Sequence, residues 1–389
     1  MKRIIFLLGI VIVVAIGAFL YWRAQQQLPT ATEVVALQSV QGAEGFARVT
    51  EPRAMQFPQD HGPHPDFQTE WWYYTGNLQT AEGRRFGYQL TFFRRGITPG
   101  NVADARASDW ATNQIYFAHF AITDAQANVH NASEIYSRGA AGLAGAAGNP
   151  FYVWIENWSV DALNVDGSKV HLIADDGKMA LDLNLNALKA PVVHGENGLS
   201  LKTDEAGNAS YYVSFTRMAT QGSLRVNGAT IPVSGTSWFD HEWGTTGLGP
   251  NAVGWDWFSI QLGDNREVMF FQIRNKDGSL EPLSSGTLVN ADGTVTHLKK
   301  DDVQIAVLDT WTSTASQGKY PSKWHVTSAV GNFDLTLTPL IADQENRISF
   351  TYWEGAVNIE GTSNGQSVRG QGYVEMTGYA KQAQGLVGY

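Results

Sequence analysis

The sequence predicts an all-β protein built from two tandem antiparallel β-barrel or sandwich domains behind an N-terminal transmembrane anchor. Three observations predict it. Charged residues are only 16% of the chain while aromatics reach 12% and glycines number 40, which suits turn-rich β-structure with an aromatic interior rather than helices. After residue 25 no long stretch keeps a 3.6-residue apolar period, whereas short alternating runs recur between turn signals. Finally, Trp71-Trp72-Tyr73-Tyr74-Thr75-Gly76-Asn77-Leu78 is answered by Trp255-Asp256-Trp257-Phe258-Ser259-Ile260-Gln261-Leu262. Each of these runs is followed by a turn and a strand ending in Arg, at Arg94 and at Arg274. Landmarks in the same order predict a duplicated domain.

The chain opens with Lys2 and Arg3 and an apolar run from Ile4 to Trp22. That run has the roughly 20 residues a bilayer span needs and exceeds a cleaved signal core. Tyr21 and Trp22 suit the membrane interface. Residues 1–24 are therefore expected to be a signal anchor with its N-terminus inside, and the polar residues 25–47 a tether. The body is expected in the periplasm, held at the inner membrane, or secreted if the anchor is cleaved. A net charge of −10 with no basic stripe in the body excludes nucleic acid as a partner. The absence of cysteine excludes disulfides, thiolate metal sites and a cysteine nucleophile.

The ordered body is expected to begin near Arg48. A proline-rich loop around His61 and His64 leads into the aromatic strand from Glu70, which pairs with Gly87–Arg94 across Glu82-Gly83. Residues 114–123 alternate with apolar side chains on both faces, so this strand, which carries His119, is expected to be buried on both sides. Further strands are predicted at Tyr152–Asp161, Lys169–Ile173, Met179–Leu185 and Tyr211–Thr216, with tight turns at Asp166-Gly167, Asp176-Gly177 and Asn227-Gly228. In the second half Val268–Ile273, Phe333–Leu337 and Gly372–Tyr379 alternate. Trp154–Trp158 is weakly echoed at Tyr352–Gly355. The boundary is expected near Pro232–Gly235, giving domains 48–235 and 236–389.

The stretch Ser237–Phe258 lies at that junction, and interfaces between domains favour pockets. It sets Trp238, Trp243, Trp255 and Trp257 beside Asp240, His241, Glu242 and Asp256. A carboxyl against indole faces is poorly solvated and keeps a proton near neutral pH. Indole faces also stabilise a nearby cation. Asp240, His241 and Asp256 are the candidate catalytic residues, and Trp71, Tyr73, His119, Trp238, Trp243, Trp255 and Trp257 the candidate ligand-binding ones. His61 and His64 have metal-ligand spacing, but no third ligand is fixed, so neither metal nor cofactor is expected. Ser237 lacks the glycine of a nucleophile elbow.

His64-Pro65, Glu70-Trp71-Trp72-Tyr73-Tyr74-x-Gly76, Ser237-Trp238-x-Asp240-His241-Glu242-Trp243-Gly244, Gly254-Trp255-Asp256-Trp257 and Tyr352-Trp353-Glu354-Gly355-Ala356 together resemble the AttH/carotenoid 1,2-hydratase family, also called "predicted secreted hydrolase". The resemblance covers about residues 48–380. It implies tandem lipocalin-like domains with a site near their junction. It also implies acid-catalysed hydration of an isoprenoid alkene, with His241, Trp243 and an acid among Asp240, Glu242 and Asp256 at the matching positions. The expected function is binding of a hydrophobic, isoprenoid or lipid-like molecule with hydratase-type or lyase-type chemistry. The alternative is a non-catalytic periplasmic carrier that hands its ligand to a transporter. The hydrolase name finds no nucleophile in the sequence.

Overall fold

The computed structural model describes residues 43–100, 108–245, 247–249 and 251–380. The expected anchor and most of the tether lie outside them. Among the described residues no helix is long and apolar enough to cross a membrane.

The first sheet contains β1 (Thr69–Gln79), β2 (Arg85–Gly96), β3 (Gln114–Asp124), β4 (Val129–Arg138), β5 (Ala144–Gly148), β6 (Phe151–Ile155), β7 (Trp158–Ala162), β8 (Lys169–Asp175), β9 (Ala180–Ala187), β10 (Val192–Val193), β11 (Leu199–Leu201), β12 (Ala209–Val226) and β13 (Ala229–Gly244). The second contains β14 (Ala252–Leu262), β15 (Glu267–Asn275), β16 (Ser285–Val289), β17 (Val295–Lys299), β18 (Gln304–Thr312), β19 (Lys319–Ser328), β20 (Phe333–Pro339), β21 (Glu345–Arg347), β22 (Thr351–Ser363) and β23 (Gln366–Met376). In each sheet a four-strand meander runs out from the first strand, and the last strand returns to pair with that first strand: β13 with β1, β23 with β14. Both sheets are antiparallel and curled, the first into a near-barrel and the second into a half-barrel, as in lipocalin-like domains.

Strand alternation sorts the aromatics. Even-numbered residues of β1, Trp72, Tyr74 and Leu78, fill the first barrel with Phe239, Phe120 and Trp158. Phe258, Trp324 and Trp353 fill the second sheet's concave side. Tyr73, Tyr212, Trp238, Trp257, Phe271 and Tyr373 turn the other way and pack the two outer faces together. Each buried large apolar side chain contributes roughly 1.5–3 kcal/mol, so this third cluster holds the sheets as one body. Asn227 and Gly228 both have positive φ, which makes the β12–β13 turn a tight two-residue hairpin.

Three expectations need correction. The expected boundary at 235/236 falls inside β13, and the change of sheet lies between Gly244 and Ala252. Ser237–Trp243 therefore belongs to the first sheet, because these residues complete the ladder on β1. Tyr152–Asp161 is two strands, folded back at Glu156, whose φ is positive. Trp154–Trp158 spans that hairpin, whereas Tyr352–Gly355 lies within the long strand β22, so the two are not equivalent places in the repeat.

Candidate functional site

A cavity of about 260 Å³ lies between the outer faces of the sheets. Its walls come from odd-numbered residues of β1 and β14, where Trp71, Tyr73, Trp255 and Trp257 project, and from Phe271 and Phe350. Three carboxyl groups enter it from the two returning strands, Asp240 and Glu242 from β13 and Glu375 from β23.

Asp240 is held by three donors. The Tyr212 hydroxyl donates to Oδ2 at 2.6 Å, the Trp238 indole Nε1 to Oδ1 at 2.6 Å, and the Ser214 hydroxyl also donates to Oδ1. Two relays run from these donors into the second sheet. Trp257 Nε1 donates to the Tyr212 oxygen at 2.9 Å. His194 bonds Ser214 through Nε2 at 2.6 Å and Thr287 through Nδ1 at 2.9 Å. Burial pushes Asp240 up to about 7, against its three hydrogen bonds. Burial also pushes Glu375 up to about 8, reinforced by Asp240 and Glu242 and opposed by a hydrogen bond with Trp255. Glu375 is partly accessible while Asp240 is 3% exposed. At the rim Lys202 pairs with Glu242 at 2.7 Å, and its ammonium lies 4.5 Å from the Phe271 ring centroid.

Of the three residues expected to be catalytic, only Asp240 reaches the cavity. His241 lies on the opposite face of β13, stacked on Trp72 with centroids 5.0 Å apart, and its Nε2 is 2.9 Å from Glu70. Asp256 lies on the opposite face of β14, bonded by Arg274 Nε at 3.1 Å, Gln272 at 2.8 Å and the Tyr379 hydroxyl at 3.1 Å. Both displacements follow from strand alternation, since neighbours in sequence point to opposite faces.

Four of the seven expected ligand-binding residues, Trp71, Tyr73, Trp255 and Trp257, line the cavity. Trp238 does not line it and reaches the site only as a donor to Asp240. His119 lies behind the wall, its Nδ1 bonded to the Tyr352 hydroxyl at 2.9 Å. Burial lowers His119 to about 3, so it stays neutral. Trp243 is on the far face, stacked on His64 at 3.8 Å. Tyr212, Glu375 and Tyr352 are among the cavity residues that the sequence did not single out. Extending the repeat from β1/β14 to β13/β23 would have found Glu375, because Asp240 faces Tyr73 in one register as Glu375 faces Trp257 in the other.

His64, Glu70 and His241 place three potential metal-ligand atoms within 4.8 Å of one another. Arg94, 1% exposed, already supplies the positive charge there: its Nε is 2.7 Å from Glu70. The Arg94 guanidinium draws Glu70 well below the usual carboxylate range, ahead of His241 and His64 and against burial. A cation added beside Arg94 would meet like charge, so the cluster reads as an ion-paired brace between the loop at His64 and strands β1, β2 and β13.

Residues 48–379 match the sequence signature of the family described as AttH-like. The chain belongs to the AttH-like family. The crystal structure of an AttH candidate from Nitrosomonas europaea superposes with a TM-score of 0.77 at 34% identity, over 86% of this chain and all of that one. Kievitone hydratase from Fusarium solani subsp. phaseoli is 24% identical over 233 residues, 56% of this chain and 62% of that protein's length. The crystal structure of kievitone hydratase from Nectria haematococca shares the fold, with a TM-score of 0.64 at 15% identity over 87% of this chain and 97% of that one. The AttH-like signature spans both sheets and thus every residue of the cavity described above.

Proposed function

We propose that this protein adds water across a carbon–carbon double bond of an apolar, isoprenoid-like or lipid-like molecule bound between its two domains. The observation that carries the reading is the pair Asp240 and Glu375, two carboxyls facing one aromatic cavity with proton affinities near neutrality. Glu375, the more basic, is protonated at neutral pH and gives its proton to the alkene. The π pair forms the new C–H bond, and the electrons of the broken O–H bond stay on Glu375. The cation left on the neighbouring carbon lies among the faces of Trp71, Trp255 and Trp257. Water attacks it and loses a proton to Asp240, whose three donors favour its carboxylate. Exchange with solvent returns the proton to Glu375. General acid catalysis of this kind supplies about 10²–10⁴-fold. The hydratase name of the Fusarium relative supports this class of reaction, and the apolar run at Ile4–Trp22 supports an exported body held at a membrane.

The test is a panel of prenylated phenols and isoprenoid alkenes incubated in heavy-oxygen water, read by mass spectrometry. One labelled oxygen per product is expected, together with a loss of about 10²-fold or more in kcat for Glu375→Gln and unchanged ligand affinity. Equal binding by parent and variant with no product from any compound would overturn the enzyme and leave the carrier reading.

A further inference from the structure

Behind the cavity wall lies another carboxyl, which the scheme above leaves unused. Glu354, on β22, is 0% exposed. It stands directly opposite Glu375 in the β22–β23 register. Opposed residues of an antiparallel pair project from the same face with Cβ atoms about 4.5–5.5 Å apart. The Tyr73 hydroxyl, from the other sheet, donates to Glu354 Oε1 at 2.7 Å. Glu354 Oε2 is buried and has no hydrogen-bond partner among the described residues.

The charged groups acting on this pair are carboxylates: Glu375 on Glu354, and Asp240 and Glu242 on Glu375. The titratable hydroxyls around Glu354 are those of Tyr73, Tyr352 and Tyr373. Burial and the neighbouring Glu375 hold Glu354 well above the usual carboxylate range. Two carboxylates facing each other without a cation between them do not both ionise. A neutral Glu354 whose Oε1 already accepts from Tyr73 carries its proton on Oε2, the atom without a partner.

We propose that Glu354 and Glu375 form a carboxyl dyad in which Glu354 is a positioning residue, donating from Oε2 to the Glu375 carboxylate that forms when Glu375 protonates the substrate. For its catalytic meaning this rests on the hydration reading. Balance is simple. The dyad starts with two protons, gives one to carbon, and shares the remaining one as a hydrogen bond to the new carboxylate. The water proton goes to Asp240, and exchange with solvent returns the second proton to Glu375.

Three variants test the role. Glu354→Gln keeps a carbonyl for Tyr73 and an N–H for Glu375, and is expected to hold kcat within about threefold of the parent. Glu354→Met removes the donor. It is expected to lower kcat by about 10- to 100-fold, the worth of one hydrogen bond to a buried charge, with KM unchanged. Its alkaline limb should move to higher pH, because a carboxylate without its donor is harder to form. Glu354→Asp, a milder change that retracts the carboxyl by one methylene, should fall between the two and covers the case in which the Met variant does not fold. Full kcat with an unmoved limb in Glu354→Met or Glu354→Asp, or a loss in Glu354→Gln as large as in Glu354→Met, overturns the dyad. An infrared titration of the Glu375 carboxyl needs no substrate. A midpoint raised by the Met or Asp variant supports the dyad, and an unchanged midpoint overturns it. A failed activity screen, by contrast, removes only the hydration reading.

Discussion

Glu375→Gln should inactivate the protein and at the same time make it more stable at alkaline pH. Folding moves the Glu375 carboxyl from its ordinary 4.5 up to about 8. The sign follows from linkage: a folded-state value above the unfolded one means the folded protein binds the extra proton. Stability is then full below about pH 4.5 and is lost as the pH rises toward 8. The whole shift amounts to about 5 kcal/mol at 1.36 kcal/mol per tenfold. Because the side chain is partly accessible through the cavity, about half of that, 2–3 kcal/mol, is the better expectation. An amide cannot ionise and escapes this loss. Glu375→Gln should therefore unfold near the parent's temperature at about pH 5 and roughly 4–6 °C above it at about pH 9, at about 2 °C per kcal/mol for a body of this size. Thermal unfolding by near-ultraviolet circular dichroism across that range is the assay. Parallel curves for parent and variant would refute the reasoning, since they would mean that Glu375 titrates alike in the folded and unfolded chain.

Two further predictions concern the opposite faces. Arg94→Met leaves the Glu70 charge buried beside His64 and His241 and removes the guanidinium's bonds to Gln114 Oε1 and to the carbonyls of His64 and Phe67. Breaking a buried pair in this way costs about 3–5 kcal/mol, so the variant should melt roughly 6–10 °C lower while the folded fraction keeps kcat within about threefold. Urea unfolding checks the first figure, and turnover well below the transition checks the second. His119 is lowered from 6.5 to about 3 by burial. Its neutral form therefore stabilises the fold above pH 6.5, and that stability is lost as the pH falls, by about 2 kcal/mol at pH 5. His119→Gln should flatten the melting curve between about pH 6.5 and 5 by that amount, and an unchanged slope would contradict the assignment.

The architecture was legible because its signals are local. The hairpin at Asn227-Gly228 needs two positive-φ residues, and Asn-Gly announces them. The aromatic runs at Trp71 and Trp255 fall on the first strands of the two sheets. The site was legible only in part, because adjacency in sequence is opposition in space along a strand. Asp240-His241-Glu242 looks like one polar cluster, yet the central histidine joins Glu70 and Trp72 on the barrel side while the flanking acids face the cavity. Asp256 between Trp255 and Trp257 is separated from the same site by the same alternation. Glu375 could not be weighed without knowing that β23 returns to β14, since it lies 118 positions after Trp257 in the sequence. The domain boundary was misplaced for a related reason: the last strand of the first sheet carries the motif that marks the junction.

The two halves place matching chemistry in matching places, and this explains why the cavity needs both. Through the registers, Asp240 on β13 corresponds to Glu375 on β23, Ser214 opposite Asp240 to Glu354 opposite Glu375, and Tyr73 on β1 to Trp257 on β14. The bonds that cross the interface are reciprocal. Tyr73 of the first sheet donates to Glu354 of the second, and Trp257 of the second donates to Tyr212 of the first. Each sheet thus orients the group that supports the other's acid. The copies have diverged at one telling position. Opposite Asp240 stands a serine that donates a hydrogen bond, which favours a carboxylate. Opposite Glu375 stands a second carboxyl, which favours a retained proton. On the hydration reading proposed above, one constellation, used twice, would yield a base from one copy and an acid from the other on either side of a single cavity. Neither sheet alone contains both.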